Sequence, residues 1–138
     1  MKSRSKIVAR YAETDQMGIV HHSVYPIWFE VARTEFIRHA GMTYTEMEQA
    51  GVMLPLAGLT CRYFYPAKYE DEVIIEVSIS KFTPARIEFL YEVYNEEGRL
   101  LTQGTTVHGW TNLELHPINL KKHFPNIYEV VKHAQEDE

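Results

Sequence analysis

The chain has 138 residues, 45% of them hydrophobic and 24% charged, which is enough for one buried core and too little for two ordinary domains. The 14 Lys and Arg against 19 Asp and Glu leave a formal net charge of -5, which excludes a general affinity for nucleic acid or anionic lipid. A single cysteine, Cys61, excludes an intrachain disulfide and a cysteine-based zinc cluster.

One globular domain over residues 1–138 is therefore expected, in a reducing, cytoplasmic setting. Met1 to Arg10 holds four basic residues but no apolar run of the kind a signal peptide needs. No later stretch is long and uncharged enough to cross a bilayer.

In chain order, Lys6 to Ala12 predicts a short strand, with Ile7, Ala9 and Tyr11 on one side and Val8 and Arg10 on the other. It ends at the turn-prone Thr14 to Gly18. Past Ser23, the apolar residues Val24, Ile27, Trp28, Val31, Ala32 and Phe36 follow helical spacing. Ser23 is the expected N-cap, Pro26 falls in the first turn where its missing N–H has no partner to lose, and Gly41 stops the helix after about five turns of roughly 3.6 residues. Glu30 and Arg33 stand at the spacing of a structural ion pair. Thr43 with Glu46 three residues on has the form of a capping box and starts a shorter helix that Gly51 closes.

After Gly51 the period becomes alternating. Strands are expected from about Leu54 to Tyr65, from Glu72 to Phe82 with Val73, Ile75, Val77 and Ile79 on one face, and over Ile87, Phe89, Tyr91 and Val93. A hairpin at Asn95 to Gly98 leads to a last strand from Arg99 to Thr111. Successive strands with short connections imply an antiparallel sheet, and that sheet is the one surface large enough to cover the long helix. The fold class is thus α+β, with five strands and a core over about residues 6–112. In the tail, 117–138, a Pro125-led helix runs from Asn126 to Ala134, and the acidic Glu136, Asp137 and Glu138 are expected to fray.

The candidate site lies between the first strand and the long helix, where Tyr11, Asp15, Gly18, His21, His22, Ser23 and Tyr25 crowd together. The first amides of a helix lack intrahelical acceptors and carry the positive end of its dipole, so the backbone around His22 to Tyr25 can hold an oxygen that gains negative charge. Asp15, just ahead, can then attack the attached carbon or deprotonate a water beside it, which suits acyl transfer. An Asp followed three residues later by Gly is also what an ordinary turn looks like. His22 could equally serve as a cap and Tyr11 as a strand aromatic, so spacing alone leaves both readings open.

Taken in order, Tyr11, Thr14, Asp15, Gly18, Ile19, Val20, His21, His22, Tyr25, Glu30 and Arg33 resemble the hotdog-fold acyl-CoA thioesterases. The resemblance points to the 4-hydroxybenzoyl-CoA thioesterase type and its Tol-Pal-associated bacterial relatives. It implies a five-stranded antiparallel sheet wrapped around one long central helix. It further implies Asp15 as catalytic carboxylate, Tyr11 and His22 as its assistants, and a helix-start amide at His22 that polarises the thioester carbonyl. Gly18 and Tyr25 would help hold the substrate, and of the basic pool Arg62, Lys68, Lys81, Arg86 and Arg99 the resemblance favours Lys81 and Arg86, either side of Pro84, to grip the phosphates of coenzyme A. The substrate would be a small or medium acyl, or aryl, thioester. No separate cofactor or metal is called for, and a homo-oligomer built as a dimer of dimers is expected.

Four alternatives stand beside this. A hotdog dehydratase or hydratase would act on the same thioesters without freeing thiol. A non-catalytic acyl-CoA-binding protein would keep the fold with Asp15 as a turn residue. A metal site is disfavoured because His21 and His22 are adjacent rather than one helical turn apart, and Cys61, in an apolar strand, reads as a small buried hydrophobe rather than a nucleophile.

Overall fold

The computed structural model describes residues 1–136; Asp137 and Glu138, whose fraying was expected, lie outside the described residues. Five strands form one sheet: β1 (Ser3–Val8), β2 (Leu56–Tyr63), β3 (Glu72–Phe82), β4 (Arg86–Tyr94) and β5 (Leu100–Gly109). Their spatial order is β1-β3-β4-β5-β2, and every neighbouring pair is antiparallel. The alternating residues Val73, Ile75 and Val77 of β3 and Ile87, Phe89, Tyr91 and Val93 of β4 are fully buried on one face, as their period requires. Across that face lies the 16-residue α1 (Tyr25–Ala40), so the hotdog architecture expected from the sequence is the one observed.

The helix seats through aromatic rings. Phe29 stacks on Tyr91 with centroids 4.4 Å apart, and Phe36 meets Phe89 edge-on at 5.7 Å. Burying each such side chain stabilises the fold by about 1.5–3 kcal/mol. Gly104 of β5 makes room for Phe29, since a Cβ there would lie 2.6 Å from both the Phe29 ring and the Thr60 carbonyl oxygen. Gly104→Ala is therefore expected to destabilise by about 1–3 kcal/mol and lower the urea midpoint. Gly109→Ala, with nothing within 4 Å of the added carbon, supplies the comparison and should move it far less.

This seating turns the buried stripe of α1 away from the expected one. Val24, Trp28, Ala32 and Phe36 are inside as predicted, joined by Tyr25, Phe29 and Ile37, whereas Ile27 and Val31 are 58% and 48% exposed. The notch at Gly104 captures Phe29 and rotates the helix about its axis. The start of α1 differs too: a 3-10 turn at His22–Val24 precedes it, capped by the His21 ring, which accepts from the Ser23 amide, and α1 itself begins after Val24 with no side-chain cap, so Ser23 is not its N-cap. Gly41, at φ 112°, ends the helix as expected. Thr43 caps α2 (Tyr44–Ala50) by accepting from the Glu46 amide.

β1 also stops short of the expected Ala12. After Val8 the chain bends into a 3-10 turn, Tyr11–Glu13, held by the buried Glu13 carboxylate, which accepts from the Arg10 amide at 2.8 Å and from the Trp28 indole N–H at 2.9 Å. Burial pushes the Glu13 carboxyl up, but those donors and the Arg10 guanidinium together hold it below the ordinary range. Tyr11 is consequently no strand aromatic; it stands 77% exposed. In the tail, a short α3 (Leu120–His123) precedes α4 (Pro125–Glu136), which includes the Glu136 expected to fray. α4 buries Ile127, Val131 and Ala134, and its Tyr128 ring lies 5.0 Å from that of Phe82.

Candidate active site

The loop that follows β1 is a tight, well-bonded turn. The Asp15 amide donates to the Ile19 carbonyl at 2.9 Å, the Gly18 amide to the Asp15 carbonyl at 3.0 Å, and the Met17 amide to Asp15 Oδ1 at 2.8 Å. Gly18 adopts φ 78°, where a side chain would be strained. The turn reading and the chemical reading of Asp15 are thus compatible: the turn occupies Oδ1, while Oδ2 has no hydrogen-bond partner among the described residues. The Val20 amide donates to Ala67 and the His21 amide to Glu13, which anchor the loop from both sides.

From there the chain enters the helix start. His22 opens the 3-10 turn, and its amide meets no acceptor among the described residues. Its carbonyl accepts from the Tyr63 hydroxyl at 3.0 Å, which ties the helix start to the end of β2. His21 Nδ1 accepts from the Ser23 amide at 3.2 Å and so carries its proton on Nε2, and the His21 and His22 rings lie 4.1 Å apart.

Around these groups is a pocket of ≈ 260 Å³, whose lining includes Asp15, His22, Tyr25, Tyr63, Phe64 and Tyr65. Tyr25, only 2% exposed, is its rigid wall, packed edge-on against Trp28 and Tyr63. Tyr11 and Gly18 lie across the Asp15 ridge in a separate hollow with Tyr69, whose ring meets that of Tyr11 edge-on at 5.6 Å. One chain therefore gathers Asp15, His22 and Tyr25 round one pocket and sets Tyr11 and Gly18 behind them.

Lys81 and Arg86 are not brought to this pocket within the chain. The site sits where Val8 pairs with Glu72 and Tyr63 with Thr102; Lys81 and Arg86 occupy the opposite end of β3 and β4, roughly 30 Å along the strands. The pocket wall at Tyr63, Phe64 and Tyr65 was not identified from the sequence as part of the site. Its signal is three consecutive aromatics, Tyr63, Phe64 and Tyr65, at a strand end.

A second polar group runs under α1. Arg33 does not pair with Glu30 as its spacing suggested; its Nε donates to the Tyr44 hydroxyl and its Nη1 to the Tyr91 hydroxyl, each at 3.0 Å. The α2 and β4 hydroxyls lie on the inner side of the helix, whereas Glu30 faces outward. His108 Nδ1 donates to the Leu54 carbonyl at 3.1 Å, so its Nε2 accepts from Thr106, and Thr106 accepts in turn from Tyr91 at 2.6 Å. Burial, reinforced by Arg33, pushes His108 down to about 4. Burial also pushes the Tyr44 hydroxyl up to about 12, against the pull of Arg33. Among the described residues no three of His, Cys, Asp and Glu gather as a metal site would require.

A five-stranded antiparallel sheet curled round one long helix is the architecture of the hotdog class. Residues 9–134 match the thioesterase-like superfamily, and the chain belongs to that family. It is 34% identical over 134 residues to YneP of Bacillus subtilis, whose name assigns it provisionally to the acyl-CoA thioesterases; the match covers 96% of this chain and 97% of that protein. A DHNA-CoA thioesterase from Staphylococcus aureus superposes with a TM-score of 0.92 at 36% identity, covering 97% of this chain and 91% of that one. The hypothetical protein TT1821 from Thermus thermophilus gives 0.88 at 34% identity, covering 97% and 98%.

Proposed function

We propose that this protein hydrolyses small or medium acyl, or aryl, thioesters of coenzyme A to the free acid and coenzyme A. The observation that carries the reading is the pairing, at one pocket, of the Asp15 carboxylate with the uncommitted His22 amide. The names of YneP and of the S. aureus structure support the substrate class.

In this mechanism the thioester carbonyl points its oxygen at the His22 amide and the helix start, which stabilise the charge that grows there. Asp15 Oδ2 attacks the carbon to form a mixed anhydride, which water then hydrolyses to release the free acid and restore the carboxylate, or it takes the proton of a water that attacks the carbon directly. Coenzyme A leaves as thiolate, since a thiol pKa of roughly 8.5 removes the need for a strong general acid. Tyr11 orients the carboxylate or the water from the hollow behind, and the His22 ring relays a proton. Gly18 shapes the turn that presents Asp15, and Tyr25 walls the acyl group. The mechanism calls on no metal and no cofactor apart from the coenzyme A of the substrate.

A homo-oligomer belongs to the same proposal. β2 is an edge strand whose exposed Leu56 and Leu59 line one hollow with the exposed Ile27 of α1, an apolar strip that a second copy would cover. In a dimer of dimers, Lys81 and Arg86 meet coenzyme A only as an additional contact from another subunit, since within one chain they lie at the far end of the sheet. A cytoplasmic setting fits the single free cysteine, and no helix among the described residues is long and apolar enough to cross a membrane.

The test is thiol release from a panel of acyl-CoA chain lengths and aryl-CoAs. Release from at least one is expected, and none from any would overturn the proposal. An enoyl thioester that changes absorbance without freeing thiol would instead identify a hydratase.

A further inference from the structure

The pocket at Asp15, ≈ 260 Å³, is smaller than the 300–1,000 Å³, roughly, of a site for a drug-sized ligand. A coenzyme A thioester is larger still, so its phosphorylated nucleotide has to lie outside, on the surface that continues the pocket mouth. A net charge of -5 makes most of that surface unwelcoming to phosphate. Glu70, Asp71, Glu72, Glu96 and Glu97 gather with Lys68 round a separate, acidic hollow, and Arg99 stands at the base of the hairpin that carries Glu96 and Glu97.

The Phe64–Tyr65 rim is different. Arg99 lies over the Tyr65 ring, 3.6 Å from its centroid, and Arg62 lies over Phe64 at 5.7 Å. Both arginines are exposed, and neither forms an ion pair among the described residues, although Arg4, Arg10 and Arg38 each do. A guanidinium resting on an aromatic ring is held in place by the ring and keeps its N–H donors for a partner at its edge, an arrangement suited to phosphate. The two rings themselves line the pocket that holds Asp15.

We infer that Arg62 and Arg99, braced on Phe64 and Tyr65, bind the phosphates of the substrate's nucleotide end. This rests on the thioesterase reading for the ligand, and it places the nucleotide grip on the same chain as Asp15, a sheet's length from Lys81 and Arg86. Binding should weaken with salt, as for any exposed phosphate contact.

Two measurements test it on the full chain: calorimetric titration with free coenzyme A, and kinetics on an acyl-CoA against the matching S-acyl-pantetheine, which lacks the nucleotide. Arg62→Gln and Arg99→Gln should each raise the Kd for coenzyme A about tenfold. The preference in kcat/KM for acyl-CoA over S-acyl-pantetheine should fall by a similar factor. Unchanged coenzyme A affinity in both variants, or equal losses on the two thioesters, would overturn the inference. So would a wild type that binds no coenzyme A. A wild type that binds coenzyme A through these arginines yet releases thiol from no thioester would leave the inference standing and remove the hydrolase reading.

Discussion

Asp15→Asn is expected to lower kcat for thioester hydrolysis by about 10²–10⁴-fold while leaving the melting temperature nearly unchanged. The two effects separate because Asp15 has two jobs carried by different atoms. Its Oδ1 accepts the Met17 amide and holds the turn, and an asparagine side-chain oxygen accepts that bond equally well. Its Oδ2 supplies the negative charge that attacks carbon or deprotonates water, which an amide cannot do. Asp15→Ala removes both and should add a stability loss of about 1 kcal/mol for the missing turn bond. Steady-state thiol release and thermal melts of the two variants, side by side, decide the matter. If Asp15→Asn retained most of the wild-type rate, the carboxylate would be a turn residue only.

The second large effect concerns His108, which does not line the Asp15 pocket. Its folded pKa, pushed down to about 4, lies below the ordinary value of 6.5, so the unfolded chain binds the extra proton first as pH falls. The stability owed to neutral His108 is complete above about 6.5 and is lost as pH falls toward about 4. Across that window the loss should reach roughly 3 kcal/mol. Urea unfolding at pH 7 and at pH 4 should show this for wild type, and His108→Gln, which cannot take up the proton, should show a smaller drop. Identical drops in the two proteins would mean that the Arg33–Tyr91–Thr106–His108 chain does not control the acid limit of the fold.

Much of the architecture was legible along the chain because it is local. The period-two runs through β3 and β4 state which face is buried without reference to any partner. Thr43, Gly41 and Gly51 mark helix ends through their own side chain or positive φ. The candidate site was legible to the same extent: Asp15 and His22 are seven residues apart, and the turn between them is closed by its own backbone bonds. Where local signals met a long-range competitor, they gave way. Tyr11 alternated correctly for a strand, but Glu13 found the Trp28 indole and bent the chain before it. Ile27 and Val31 kept helical spacing, but Phe29 had a glycine notch to enter and they did not.

The sequence by itself therefore determined the strands, the helix, the loop that presents Asp15 and the family to which these belong, since each is written in neighbouring residues. Only the tertiary structure decided what surrounds Asp15. Closing the sheet in the order β1-β3-β4-β5-β2 brings Tyr63, Phe64 and Tyr65 to the helix start from some forty positions away, and Arg99 with them. The same closure carries Lys81 and Arg86 to the far end and gives Arg33 the hydroxyls of Tyr44 and Tyr91 in place of Glu30. Periodicity records which face of an element is apolar, but the partner on that face is chosen by how the whole chain packs.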